Sequence, residues 1–202
     1  MNQLIKTSID NAISYQEYSN LIEKIVSEKR TTGNEQTQER IEFTKLNASR
    51  MRRVNKVITL TNETVNIFKN VRKQTWLVLC ESWCGDAAHT LPVLNKIAEN
   101  SNNIDLKIVL RDDNLDLMNT FLTNGSQAIP KLIMVDESYC LINVWGARSK
   151  AATQLVADYK KEFGSIDAKF KKDLQSWYNN DKGISIVSDL ENLIKKSAIP
   201  TQ

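Results

Sequence analysis

The chain has 202 residues, 41% of them hydrophobic, and its 27 basic and 24 acidic residues leave a net charge of +3. This length can bury a sizeable core, which predicts one compact domain with helical additions. The basic residues are scattered rather than gathered on one face, which argues against a nucleic-acid partner.

The N-terminal stretch and the short apolar runs argue against secretion and against a membrane-spanning segment. The stretch MNQLIKTSIDNAISYQ lacks the apolar region of a secretory signal, and the longest apolar runs are too short to span a bilayer. We therefore expect a cytoplasmic protein without a membrane partner, in which three irregularly spaced cysteines remain thiols. With one histidine, His89, a zinc site has too few ligands, so neither a metal nor a cofactor is expected.

Residues 1–60 are predicted to form an N-terminal helical extension. Ser14 and Glu17 form a capping box in front of apolar residues at helical spacing. Residues 30–40 read as a loose polar linker, and a helix is predicted over residues 41–54. Thr61 or Asn62 then caps a short helix.

Residues 61–163 are predicted to form the α/β core. The run TWLVLCES at residues 75–82 is a strand buried on both faces. Further strands are predicted at residues 104–110, 128–136 and 139–145, with helices at 85–100, 115–123 and 149–163. Strand-helix-strand units predict parallel pairing and the short last connection predicts an antiparallel hairpin, so the sheet is mixed. Residues 164–202 are predicted as a C-terminal helical extension, with a helix at 167–178 and another from Ser188, where a second capping box lies.

Four features in this core occur together at a characteristic spacing. Trp83-Cys84-Gly85 lies between a buried strand and a helix, Pro92 follows Cys84 by eight residues, Ile129-Pro130 enters the third strand, and Gly146 ends the fourth. In these features the chain resembles the thioredoxin-like superfamily, and more narrowly bacterial thioredoxin-like proteins whose helix begins WCGDA or WCGDC. The resemblance covers about the middle half of the chain. It implies the thioredoxin fold, a mixed sheet of four or five strands flanked by helices, and a cis bond before Pro130.

Cys84 is the candidate nucleophile. A cysteine at a helix N-terminus lies near the positive end of the helix dipole, which lowers the pKa of the thiol. Asp86 opposes this effect, because a carboxylate within one turn disfavours a second negative charge. The alternative is that Cys84 is only a small buried residue.

Ala87 stands where dithiol reductases carry the second cysteine, whose thiol releases the mixed disulfide. Val78 stands where the resemblance implies a buried acid that assists proton transfer. An extended path from Cys80 to Cys84 spans roughly 13 Å, so core packing is the expected role of Cys80 rather than resolution of a disulfide. Cys140 shows no sign of reactivity.

The resemblance also implies a binding surface beside the thiol. The backbone at Ile129 and Pro130 would bind an extended peptide as an added strand, with Trp83 capping the same surface and Gly85 shaping it. His89 is rotated about 140° from Cys84 along the helix, which predicts a solvated or partner-facing residue. Trp145 is expected in the core or an interface.

Two functions stay open. In the first, the chain is a monothiol oxidoreductase in which Cys84 forms a mixed disulfide with a protein or a low-molecular-weight thiol. In the second, it is a non-catalytic module that binds a peptide or protein. The terminal helices could cover the sheet edge, extend the peptide groove or form a dimer surface, and residues 41–54 could lie over the site as a lid.

Overall fold

The structure is a computed structural model that describes residues 1–197. Its sheet contains β1 (Gln74–Cys80), β2 (Ile104–Leu110), β3 (Lys131–Asp136) and β4 (Leu141–Gly146), in the spatial order β2-β1-β3-β4. β1 runs parallel to β2, and β3 runs antiparallel to both β1 and β4. This mixed sheet with helices around it confirms the predicted fold class.

Helices account for most of the remaining chain. In the part of the chain that the structure describes they are α1 (Asn2–Asp10), α2 (Tyr15–Ser27), α3 (Gln38–Val57), α4 (Asn62–Lys69), α5 (Gly85–Glu99), α6 (Leu115–Thr120), α7 (Lys150–Phe163), α8 (Ala168–Asp181) and α9 (Ile184–Ser197). None of these helices combines the length and the apolar character needed to cross a bilayer.

Only the first strand-helix-strand unit gives the predicted parallel pair. The 15 residues of α5 extend about 22 Å, which returns the chain to the start of a seven-residue strand of about 23 Å. The six residues of α6 extend only about 9 Å, so the chain stays near the end of β2. As a result β3 enters from that end and runs antiparallel to β1, and the prediction of a second parallel unit is wrong.

The predicted capping box at the start of α2 is present. The Ser14 side chain accepts from the Glu17 amide, and the Glu17 carboxylate accepts from the Ser14 amide at 2.7 Å.

The predicted loose linker at residues 30–40 is wrong in two respects. α3 begins within it, at Gln38, and Thr31 and Thr32 are 3% and 5% exposed.

The last helix starts earlier than predicted. α9 begins at Ile184, so the residues from Ser188 lie inside the helix and do not cap it. α8 ends in a left-handed turn at Lys182 and Gly183, with φ of 52° and 82°. A Cβ at Gly183 would lie 2.6 Å from Val93 Cγ2, so this close approach to α5 requires glycine. The chain turns there and starts α9 at once, with the Asp181 carboxylate accepting from the Ser185 amide.

The apolar core has two parts. The main cluster surrounds the sheet and includes residues from the terminal helices, among them Ile5, Tyr18, Met51 and Leu190. A second, smaller cluster lies between α7 and α8 and contains Ala152, Val156, Phe170, Leu174 and Tyr178. The terminal helices therefore contribute to the core that supports the sheet, and α8 has apolar contacts of its own.

Candidate functional site

The fold brings the residues of the predicted site together at the end of β1. Cys84 is the N-cap of α5, and its thiol donates to the Ile129 carbonyl at 3.3 Å. The Ile129–Pro130 peptide bond is cis. Gly146 packs against the same loop with φ of +116°, and a Cβ there would lie 2.2 Å from the Pro130 carbonyl oxygen, so no other residue fits without a backbone shift.

The Cys84 thiol is buried, with 8% of the residue exposed. Burial raises the pKa of this thiol to about 12, and the nearby charge of Asp86 adds to the effect. The backbone N–H groups of Ala87 and Asp86 and the Arg148 guanidinium lower the pKa but do not offset burial. The thiol is therefore protonated at neutral pH in this conformation, and the lowering expected from the helix dipole is outweighed.

Asp86 is part of a buried polar cluster rather than an exposed charge of the first helical turn. Its carboxylate forms an ion pair with Arg148 at 2.7 Å and accepts from the Tyr178 hydroxyl at 2.8 Å. Burial raises the pKa of Asp86, whereas Arg148 and Tyr178 lower it. Two groups from outside the predicted site thus compensate the charge beside Cys84.

His89 is not at the surface, and that prediction is wrong. The residue is 3% exposed, its ring stacks on Tyr178 at 4.6 Å, and its Nε2 donates to Gln175 Oε1 at 2.9 Å. The reason is that α8 and α3 together cover this face of α5: Gln175 and Tyr178 come from α8, and Arg50 and Arg53 of α3 lie near the imidazole. Burial lowers the pKa of His89 to about 4, so the imidazole is neutral near pH 7.

Trp83 lies between two guanidinium groups. Arg40 at the start of α3 is 4.5 Å from the ring centroid, and Arg111 after β2 is 4.9 Å from it. Arg40 also pairs with Glu35, and Arg111 pairs with Asp112. The cation–π contacts hold the indole beside the N-terminal extension.

The segment that precedes Trp83 anchors the supposed linker through buried hydroxyl groups. The Ser82 hydroxyl lies 2.9 Å from the Thr44 hydroxyl and 3.1 Å from that of Thr31, and the Thr32 hydroxyl donates to the Glu81 carboxylate. Glu81 is fully buried, and burial raises its pKa although Thr32 and the Asp112 amide lower it. Polar composition predicted a loose segment because a sequence does not show these distant partners.

Val78 and Ala87, the two departures from a dithiol site, lie in the core, and the other two cysteines differ in their exposure. Val78 is fully buried and Ala87 is 1% exposed, both within the main apolar cluster. Cys80 is also fully buried, as core packing predicts, and Cys140 is exposed. All three cysteines are free thiols. Among residues 1–197, no cluster of histidine, cysteine and acidic side chains could hold a metal ion.

Sequence reasoning missed three residues near the site, two of them in the C-terminal extension. Tyr178 and Gln175 lie on α8, and Arg148 lies just after the fourth strand. The spacing of Phe170, Leu174 and Tyr178 indicates a buried helix face, but no local signal identifies α5 as the partner of the Tyr178 hydroxyl. Trp145 is buried as expected, and its indole N–H donates to Asp189 at 3.2 Å.

Comparisons with known proteins agree with the fold. A family model described as Thioredoxin matches residues 33–160. A crystal structure of a protein of unknown function from Pseudomonas aeruginosa is 19% identical, with a TM-score of 0.60 over 78% of this chain and 91% of that one. A crystal structure of an HIV epitope-scaffold is also 19% identical, with a TM-score of 0.58 over 92% of this chain and 100% of that one. These identities show the fold alone. Among curated proteins, none matches the chain significantly.

Proposed function

The chain belongs to the thioredoxin family, and we propose that it serves thiol redox homeostasis there through a single cysteine rather than as a dithiol reductase. The observation that carries this proposal is the position of Cys84. Its sulfur lies at the N-terminus of α5, 3.3 Å from the Ile129 carbonyl beside Pro130, while Ala87 offers no second thiol. Cys84 and Ile129 are 8% and 7% exposed, so a disulfide presented along the Ile129 backbone would reach the sulfur in a more open form.

The proposed reaction is an exchange between one protein thiol and a disulfide. The Cys84 thiolate attacks one sulfur of a disulfide, forms a new S–S bond to it, and releases the other sulfur as a thiolate that takes up the proton. A second thiol from solution then attacks this mixed disulfide and restores Cys84. The partners are a protein or a low-molecular-weight thiol or disulfide, not a nucleic acid or a membrane, and the proposed compartment is the cytoplasm.

The burial of Cys84 limits this chemistry in the conformation described. With a pKa of about 12, the thiolate fraction at pH 7 is about 10⁻⁵. A thiolate is the nucleophile in disulfide exchange, so the reaction proceeds from a form in which Cys84 is more exposed.

The same observation favours a second candidate function, that of a non-catalytic binding module. A thiol that is 8% exposed and protonated can be a structural residue. In that case a peptide or protein would be recognised by its backbone along Ile129 and Pro130, without covalent chemistry.

Glutathione disulfide distinguishes the two candidates. In a Cys140→Ser background, peptide-resolved mass spectrometry is expected to find the glutathione mixed disulfide on Cys84, and further replacement of Cys84 by serine removes it. Insulin reduction is expected to show no turnover in either protein. Absence of the mixed disulfide, even in variants that expose Cys84, would reject monothiol exchange and leave the binding module. Robust insulin turnover would contradict the role assigned to Ala87.

A further inference from the structure

Two side chains of helix α8, Gln175 and Tyr178, reach the first two turns of α5, close to the residue that follows Cys84. A Cβ placed on Gly85 would lie 3.1 Å from Gln175 Nε2. One residue further on, Asp86 accepts from the Tyr178 hydroxyl, and one turn later His89 contacts both Gln175 and the Tyr178 ring. We call the hydrogen bonds Tyr178–Asp86 and Gln175–His89 the latch.

The contacts of α8 differ on its two sides. Toward α5 its hydrogen bonds are those of the latch, which join it to a carboxylate and an imidazole. Toward α7 its contacts are apolar, and the Tyr159 and Phe170 rings stack with centroids 4.1 Å apart. This apolar cluster is separate from the main one around the sheet. Separation of α8 from α5 would therefore break the latch and the stacking of Tyr178 on His89, and it could leave the apolar contacts between α8 and α7 in place.

Both ends of α8 are turns in which the backbone has positive φ. Gly164, which ends α7, has φ of +79° and open space where a Cβ would stand. Lys182 and Gly183 follow α8 with φ of 52° and 82°. Short turns of this kind can absorb the changes in backbone angle that a hinged element needs. The segment between Gly164 and Gly183 is thus bounded like a hinged unit.

We propose that α8 is a cover that regulates Cys84: the latch holds the thiol buried, and release of α8 exposes it to disulfides. This inference rests on the proposed function of Cys84 as an exchange thiol. The latch closes directly onto the residues that follow Cys84, so its release changes the environment of the thiol first. A cover of this kind reconciles a thiol placed at the N-terminus of α5 beside Pro130 with its burial in the closed form.

The three cysteines of the chain report on this opening without added labels. Cys140 is exposed, Cys84 is 8% exposed and precedes Gly85, which Gln175 of α8 approaches, and Cys80 is fully buried in the core. Under native conditions iodoacetamide is expected to modify Cys140 first, Cys84 much more slowly and Cys80 most slowly. Peptide-resolved mass spectrometry follows each rate. Modification of Cys84 ahead of Cys80 shows a local opening rather than global unfolding.

Variants of the latch test its role directly. Tyr178→Phe removes a hydrogen bond to a carboxylate. It is expected to make the modification of Cys84 about tenfold to hundredfold faster. Adding Gln175→Ala increases the rate further. Tyr15→Phe is the matched control, because its hydroxyl donates to Asn55 at 2.9 Å, away from α8, and it leaves the rate unchanged. An unchanged Cys84 rate in the latch variants, or an equal acceleration of Cys80, overturns the proposal.

The two proposals fail in different ways. If latch variants expose Cys84 to iodoacetamide but no mixed disulfide forms with glutathione disulfide, the exchange function fails and the cover stands. If the wild-type chain forms the mixed disulfide at a rate that latch variants do not change, the cover fails and the function stands.

Should the variants not fold, hydrogen exchange of the wild-type chain tests whether α8 opens separately from α5. The α8 amides are expected to exchange together and before those of α5, and equal protection of the two helices overturns the cover.

Discussion

The ion pair between Asp86 and Arg148 is expected to show strong energetic coupling. Its atoms are 2.7 Å apart, and the two side chains are 10% and 29% exposed, so solvent screens them weakly. At an effective dielectric constant of about 20, two unit charges about 4 Å apart attract by about 4 kcal/mol. Asp86→Asn leaves the guanidinium without its counter-charge, and Arg148→Met leaves a buried carboxylate. Each is expected to lower the free energy of unfolding by about 3 kcal/mol or more.

The double variant isolates the coupling between the two groups. Because it removes both charges, it is expected to cost about 2 to 3 kcal/mol less than the sum of the single variants. Urea denaturation at pH 7, followed by tryptophan fluorescence, gives the four free energies of the cycle. The Asp86→Asn variant is also expected to lower the pKa of Cys84, because the Asp86 charge raises it. Additive single effects, with a coupling below about 0.5 kcal/mol, would refute this reasoning.

Three further predictions concern the same end of the sheet. In the Ala87→Cys variant, the new cysteine is expected to form a disulfide with Cys84 after oxidation, detected as a mass loss of two hydrogens. If this disulfide does not accumulate, the start of α5 is misplaced. His89 has a pKa of about 4 in the folded chain and about 6.5 when unfolded, so the unfolded chain binds the proton first as the pH falls. Between pH 7 and pH 4 the wild-type chain is therefore expected to lose about 3 kcal/mol more stability than His89→Gln, and parallel pH profiles would contradict this. Thr32→Val removes a donor to the buried Glu81 carboxylate and is expected to lower the free energy of unfolding, measured by urea denaturation, by about 2 kcal/mol. An unchanged free energy would show that the Thr32 hydroxyl does not anchor the loop.

The order of elements in the α/β core could be predicted because its signals are local. Apolar runs marked the four strands, and Ser149 and Asp167 cap α7 and α8 where the sequence placed helix starts. The direction of β3 could not be predicted in the same way. It depends on whether α6 is long enough to bring the chain back along the sheet, and the predicted helix was three residues longer than the observed one.

The residues of the candidate site were identified from the sequence, but their environment was not. Cys84, Ile129 and Pro130 meet at one end of the sheet, because the fold places the end of β1 beside the loop before β3. The spacing of Cys84 and His89 predicted an exposed histidine, since a helix considered alone has one face toward solvent. The presence of α8 and α3 on that face reversed the outcome.

By itself, the sequence determined the family, the strand and helix order of the core, and the absence of a second thiol at Ala87. Each of these follows from residues in short continuous segments of the chain. Only the tertiary structure decided that Cys84 is covered, that Asp86 is compensated and that His89 is neutral. The hydroxyl that binds Asp86 comes from a residue 92 positions later in the chain. Burial and charge compensation set the pKa of a thiol, and both depend on groups brought together by folding rather than on neighbours in sequence.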